Sequence, residues 1–201
     1  MTTPNRLIDA AVVRRRDRAI DDEGWIETLL TRAAVGSLAT VADAQPFLNV
    51  NLFWFDAERR AIYLHTARRG RTRSNVEAGE PVCFAVHEIG RLLPAATALE
   101  FSVEYAGVVA FGRAYVVEDR DEASAALQAL LDKYAPHLRP GHDYRGVTEE
   151  ELARTTVMRL DVERWSGKRK VVPSGFEGAF SYQAASLLDE DRAALEATPE
   201  A

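Results

Sequence analysis

Four arginines crowd a single glycine in the run Arg68-Arg69-Gly70-Arg71-Thr72-Arg73. Glycine adopts positive backbone angles at no steric cost, so the run reads as a tight turn opening a short helix through Val76. Planar guanidinium forks beside the N–H groups of a helix start suit a phosphate dianion. A solvated basic turn explains the same residues, and both readings stand on spacing alone. Just upstream, Ala61–Thr66 alternates like a strand, with Ala61, Tyr63 and His65 on one face and Ile62, Leu64 and Thr66 on the other. That strand delivers His65 and Thr66 to a rim next to the arginines. His65 is the candidate catalytic group, because a histidine changes charge near neutral pH, and it serves equally well as a structural contact.

A second polar set lies on the stretch Pro46–Phe55, where Asn49 and Asn51 share a face with Phe47 and Phe53 while Leu48, Val50, Leu52 and Trp54 share the other. A buried amide without a partner costs about 1–3 kcal/mol, so the asparagines call for a polar partner or water. A flat heterocycle with ring nitrogens and oxygens answers the first demand. His137 and His142 stand five apart across a Pro/Gly loop with no third histidine close by, a poor metal set, and His87 reads as a surface histidine. The single cysteine, Cys83, excludes an intrachain disulfide and a cysteine zinc site, which fits a reducing compartment.

The elements that must hold these groups follow in order. Residues 1–20 read as a polar extension, its first few residues disordered. Asp21 or Asp22 caps a helix with a Trp25, Ile26, Leu29, Leu30 stripe. Strands follow at Val35–Val41, Pro46–Phe55, Ala61–Thr66, Pro81–Glu88 and Glu100–Val117, the last as one long bent strand or a hairpin, with a loop over Ile89–Leu99. Asp119 and Asp121 precede an amphipathic helix that Pro136 ends, and a short helix Thr148–Ala153 leads into a strand Thr155–Trp165. In that last strand Met158, Leu160 and Val162 face inward, and Arg159, Asp161 and Glu163 face water. Beyond residue 172 the composition loosens into a mobile acidic tail. Six hairpin-type strands with helices before, between and after them predict a mainly β, α+β fold: an antiparallel split barrel with flanking helices, spanning residues 21–172 as one domain.

With 201 residues the chain is long enough for one real core. Its net charge of −6 argues against a general nucleic-acid binder, whose affinity comes from neutralising phosphates. No apolar run reaches the roughly 20 residues needed to span a bilayer, and the first residues lack a secretory pattern, so a cytoplasmic protein is expected. The nucleotide-binding GxGxxG, the P-loop and the GxSxG elbow are all absent.

Taken in order, Val35-Gly-Ser-Leu-Ala-Thr40, Pro46–Phe53, Ile62-Tyr-Leu-His-Thr-Ala67 with Gly70-Arg71, Val108–Ala114 and Trp165-Ser-Gly-Lys168 resemble the pyridoxamine 5'-phosphate oxidase-like FMN-binding split-barrel family. The likeness is greatest to its branch of nitroimidazole-resistance and flavin-nucleotide-binding proteins and covers residues 14–172. The resemblance implies FMN held at a homodimer interface. Asn49, Val50, Asn51 and Leu52 would line the flavin ring, with His65 and Thr66 near ring and phosphate tail, and Arg71 would grip the phosphate. Thr72 stands where the oxidases carry a lysine, which leaves Arg73 to substitute, and Trp165 and Lys168 would come from the second subunit. No equivalent of the oxidases' substrate-phosphate clamp is present. The leading expectation is therefore an FMN-dependent oxidoreductase acting on a small planar acceptor such as a nitroaromatic or a quinone. Two alternatives remain open: a flavin-binding carrier or sensor without turnover, and the same barrel holding haem, with His65 or His87 as axial ligand, or a deazaflavin.

Overall fold

The computed structural model describes residues 11–182 and Leu188. The expected disorder of the first residues, and most of the expected C-terminal tail, lie outside the described residues. A 3-10 turn, Arg16–Arg18, leads into β1 (Ala19–Ile20), which pairs antiparallel with a later strand. The side chain of Asp22 accepts the Trp25 N–H at 3.2 Å and starts α1 (Glu23–Arg32). A hairpin follows, β2 (Gly36–Ala42) and β3 (Gln45–Asn51), closed by Asp43 and Ala44, both at positive φ (50° and 60°). Two such residues make the tight loop whose twist matches that of the strands.

The expected strand Pro46–Phe55 is cut in two. Tyr134 reaches in from the far end of a helix, its hydroxyl accepting the Phe53 N–H at 3.0 Å and lying 3.1 Å from the Phe53 carbonyl. Those backbone groups thus leave the ladder, and the chain resumes as β4 (Trp54–Asp56). After β5 (Ala61–Ala67) and α2 (Arg71–Glu77) come β6 (Pro81–Leu93), β7 (Ser102–Val116), α3 (Arg120–Tyr134), α4 (Glu149–Arg154), β8 (Thr155–Lys170) and β9 (Phe180–Ser181). The strand order is β3-β2-β6-β7-β8-β5-β4, with β1 on β8 and β9 on β6. The pairings β1–β8, β2–β3, β2–β6, β4–β5, β5–β8, β6–β9 and β7–β8 are antiparallel. The sheet is not closed: its path ends at β3 and β4. The path therefore holds seven strands where six were expected, and the cut at Phe53 supplies the extra one. β7 is a single strand, and its register on β8 slips between Phe111 and Gly112, where a Cβ on Gly112 would lie 1.9 Å from the Asp161 carbonyl oxygen.

The chain forms two compact units. The first comprises the described residues to Glu88 with Tyr105–Lys170; the second comprises Ile89–Glu104 with the described residues from Val171. In the first, Ile26, Leu29 and Leu30 of α1 pack with Leu38, Phe53, Ile62, Leu64, Phe84, Met158 and Leu160 in the main core. A smaller cluster joins Ala61, Tyr63 and Val157 to Ala123 and Ala126 of α3. Strand β5 is thus covered on both faces, which is why Ala61–Leu64 is an unbroken buried run. The wet face expected on β8 is present at Glu163, which is exposed, and is narrowed at Arg159 and Asp161. Arg159 donates to Glu122 of α3 at 2.8 Å and to Asp161 at 2.7 Å, and both strand residues are half-buried.

In the second unit, Arg91 holds Glu104 through two short contacts of 2.9 and 2.8 Å and donates to the carbonyls of Val172, Pro173 and Ser174. This bonding carries β6 on to Leu93, through part of what reads in sequence as a loop. Among the described residues no helix is long and apolar enough to cross a membrane.

Candidate functional site

Helix α2 is fixed from beneath. Its Asn75 donates to the Thr40 hydroxyl at 2.8 Å, and Thr72, Asn75 and Val76 are buried. Gly70, at φ 154°, lets the chain turn from β5 into this helix. The anchoring brings Thr72 under β3, where the Asn49 amide donates to the Thr72 hydroxyl at 3.2 Å and to the Asn51 side-chain oxygen at 3.1 Å. Asn51 in turn donates to the Asn49 carbonyl at 2.9 Å. The asparagine face of β3 is thus the half-buried one. Leu48, Val50 and Leu52 point the other way and are 61, 62 and 48% exposed.

The turn divides its arginines. Arg71 is exposed, with its guanidinium 5.3 Å from the centre of the Phe47 ring. Neither Arg69 nor Arg71 has a carboxylate partner among the described residues. Arg68 and Arg73 go elsewhere: Arg68 donates to the Ala153 carbonyl at 2.6 Å, and Arg73 donates to Glu77 at 2.8 Å, to the Arg68 carbonyl at 3.2 Å and to the Thr156 hydroxyl at 3.1 Å. The Nε and Nη1 of Arg73 are therefore engaged in bracing the turn against β8. An uncommitted cation, a hydroxyl and a side-chain amide stand together on the other side, and that donor set fits a phosphate carrying a ring.

His65 is exposed and lines an apolar cleft of about 330 Å³ with Leu52 and α3. Thr66 is half-buried and pairs with Thr156. Trp165 and Lys168 lie nine and twelve residues further along β8 than Thr156, at most about 30 and 40 Å along the strand, and no contact of either with the arginine turn is seen among the described residues. Within the chain Trp165 has its own packing partners. It is half-buried, edge-on to Phe55 at 6.4 Å, with the Arg60 guanidinium 3.7 Å from its ring. Lys168 sits 5.9 Å from the Tyr105 ring. The ring of His142 lies 2.7 Å from Asp143, and among the described residues no group of three or more His, Cys, Asp or Glu could hold a metal.

Sequence reasoning missed Tyr134, Arg145 and Glu151, which line the His65 cleft. One local signal was available. Thr148-x-x-Glu151 is a reciprocal capping box, so the start of α4 is fixed and Glu151 with it.

An open antiparallel sheet with flanking helices and a basic turn after β5 defines the flavin-binding split-barrel class. A family model described as pyridoxamine 5'-phosphate oxidase matches residues 22–169, and the chain belongs to that family. Among solved structures it is similar to the flavocytochrome Anf3 of Azotobacter vinelandii (22% identity, TM-score 0.72, 89% of this chain and 87% of that one). It is also similar to a FAD and heme binding protein of Mycobacterium smegmatis (23%, 0.67, 88% and 80%). A third likeness is to a 5-nitroimidazole-resistance-like protein of Bacteroides thetaiotaomicron (18%, 0.62, 75% and 86%). No curated protein matches the chain.

Proposed function

We propose that the chain binds a flavin nucleotide, FMN, and acts as an FMN-dependent oxidoreductase on a small planar acceptor such as a nitroaromatic or a quinone. The observation that carries this reading is the Arg71 guanidinium, without a carboxylate partner among the described residues, next to the hydrogen-bonded pair of Asn49 on β3 and Thr72 on α2. When bound, the flavin supplies the hydride or electron transfer, and the protein supplies orientation and electrostatics. Arg71 and Thr72 hold the phosphate, Asn49 and Asn51 present amides to the ring, and Val50 and Leu52 exclude water from its edge. His65 holds or moves a proton at its imidazole.

The same reading includes a homodimer. β3 ends the sheet path, and Leu48, Val50 and Leu52 form an exposed apolar stripe on it. Such a stripe on an edge strand is an association site unless something covers it. A second copy covers the stripe and brings its Trp165 and Lys168 to the flavin.

The test is a visible spectrum of the purified protein with light scattering on the same sample. A flavin spectrum on a dimer is expected. A colourless protein that takes up no added FMN overturns the cofactor, and a monomer with full FMN content overturns the dimer. The flavocytochrome and the FAD and heme binding protein among the similar structures favour a second reading, in which the cofactor is FAD or includes a haem. Chromatography of the released flavin and a Soret band in the same spectrum separate the two.

A further inference from the structure

The cleft beside His65 has walls from three stretches: Leu52 after β3; Leu127, Leu130, Leu131 and Tyr134 of α3; and Val147 before α4. At about 330 Å³ it reaches the size at which small-molecule pockets begin, and its walls are apolar as such pockets are. Tyr134 gives it only a ring face, because its hydroxyl is engaged by the Ala34 carbonyl at 2.8 Å and the Phe53 backbone. The mouth carries His65, Arg145 and Glu151.

Both Glu151 oxygens already accept hydrogen bonds within the chain. One accepts from Arg145 at 3.0 Å, the other from the Thr148 N–H at 2.9 Å and the Thr148 hydroxyl at 3.0 Å. Arg145 uses only one of its terminal nitrogens in that bond, and a guanidinium offers five N–H donors. What remains uncommitted at the mouth is therefore donor capacity on a cation, above an apolar floor. An occupant that matches both is flat and apolar with an anionic acceptor at one end.

We propose that this cleft binds an aromatic carboxylate of one or two rings, the rings between Leu131 and Tyr134 and the carboxylate on Arg145. Leu131 and Arg145 thereby set specificity. Binding in the cleft depends on none of the flavin-binding residues other than Leu52 and His65. The inference rests on the flavin reading only for making the occupant a substrate rather than a bystander.

The experiment is isothermal titration of the full-length protein, as purified, with 2-naphthoate, the flavin content of each sample being read from its spectrum. The wild-type chain binds 2-naphthoate. Leu131→Trp, at a partly exposed position, fills the cleft and weakens binding at least tenfold. Arg145→Ala weakens it about five- to tenfold, Arg145→Lys falls between, and the neutral probe 2-naphthylmethanol is indifferent to Arg145. No binding by the wild type, or binding unchanged in both variants, overturns the proposal; sensitivity to Leu131→Trp alone overturns the carboxylate. Should Leu131→Trp lose its circular-dichroism signature of folding, the two Arg145 variants decide, being on an exposed side chain. A colourless protein that takes up no added FMN and still shows this pattern removes the flavin reading and leaves the cleft standing.

Discussion

Two polar clusters of the first unit use similar residue types to opposite ends. Around Glu122, every charge is answered: Arg159 donates to it at 2.8 Å, the Tyr63 hydroxyl at 2.7 Å, and Arg59 stands 3.4 Å away, while Arg159 also grips Asp161. Burial acts to raise the Glu122 carboxyl, but the Arg159 and Tyr63 hydrogen bonds outweigh it and hold the group below its ordinary value. Around Thr72, by contrast, Asn49 and Asn51 satisfy one another in part, and Arg71 has no carboxylate partner among the described residues. The first cluster is complete without a guest and fastens α3 to β5 and β8. The second keeps unanswered donors on Arg71 among the described residues, the feature on which the proposed phosphate site rests. Arginine content does not distinguish them; the count of answered donors does.

That contrast is sharpened or broken by substitution. Glu122→Ala leaves Arg159 and the Tyr63 hydroxyl short of their partner in a half-buried setting and should cost about 2–3 kcal/mol of folding stability in a urea melt. Flavin affinity should be unchanged. Arg71→Ala reverses the pattern, with melts unaltered and FMN binding weakened by about 1.5–3 kcal/mol in a fluorescence titration. If Arg71→Ala unfolds the chain, or Glu122→Ala alone removes the flavin, the division into closed and open clusters fails. Asn49→Ala is the graded case and should weaken FMN by about 1 kcal/mol, since one neutral hydrogen bond is lost.

The smallest expected effect concerns the second unit, where a third cluster is closed like the first. Arg91, and then the Val172 N–H, hold the Glu104 carboxyl down at about 2, against an ordinary value of 4.5. A carboxyl whose folded value is depressed contributes stability that is fully present above 4.5 and is lost as pH falls toward 2. The protection factor of the Val172 amide, its exchange rate relative to an unfolded amide at the same pH, should therefore hold down to about pH 4.5 and fall below it; this amide donates to Glu104 at 2.9 Å. Protection that is flat across that window would mean the carboxylate does not hold the segment.

What was legible in the sequence was local. Asp22, Asp119 and Thr148 each sit one residue before the helix they cap, and the alternation of Ala61–Thr66 places β5 where it falls. The antiparallel fold class follows from such signals taken in order, whereas Asn49 and Arg71 were placed at one site only by the family resemblance. What was not legible depends on partners far away in the chain. The cut at Phe53 needs a hydroxyl 81 residues away, the narrowed wet face of β8 needs a carboxylate on α3, and the extension of β6 needs Arg91 to find Glu104. The division of the arginines was hidden too, because Arg73 is engaged by a threonine 83 residues downstream.

The Tyr134 hydroxyl carries one more implication. By interrupting a strand it turns Leu52 toward the cleft and Phe53 into the core, two adjacent residues with opposite fates. Helix α3 therefore supplies a wall of the cleft and also sets the backbone phase of the wall opposite. Changing that one phenol would therefore alter both walls of the hollow at once, and would reach the proposed nucleotide site through Leu52 while leaving Arg71, Thr72 and Asn49 in place.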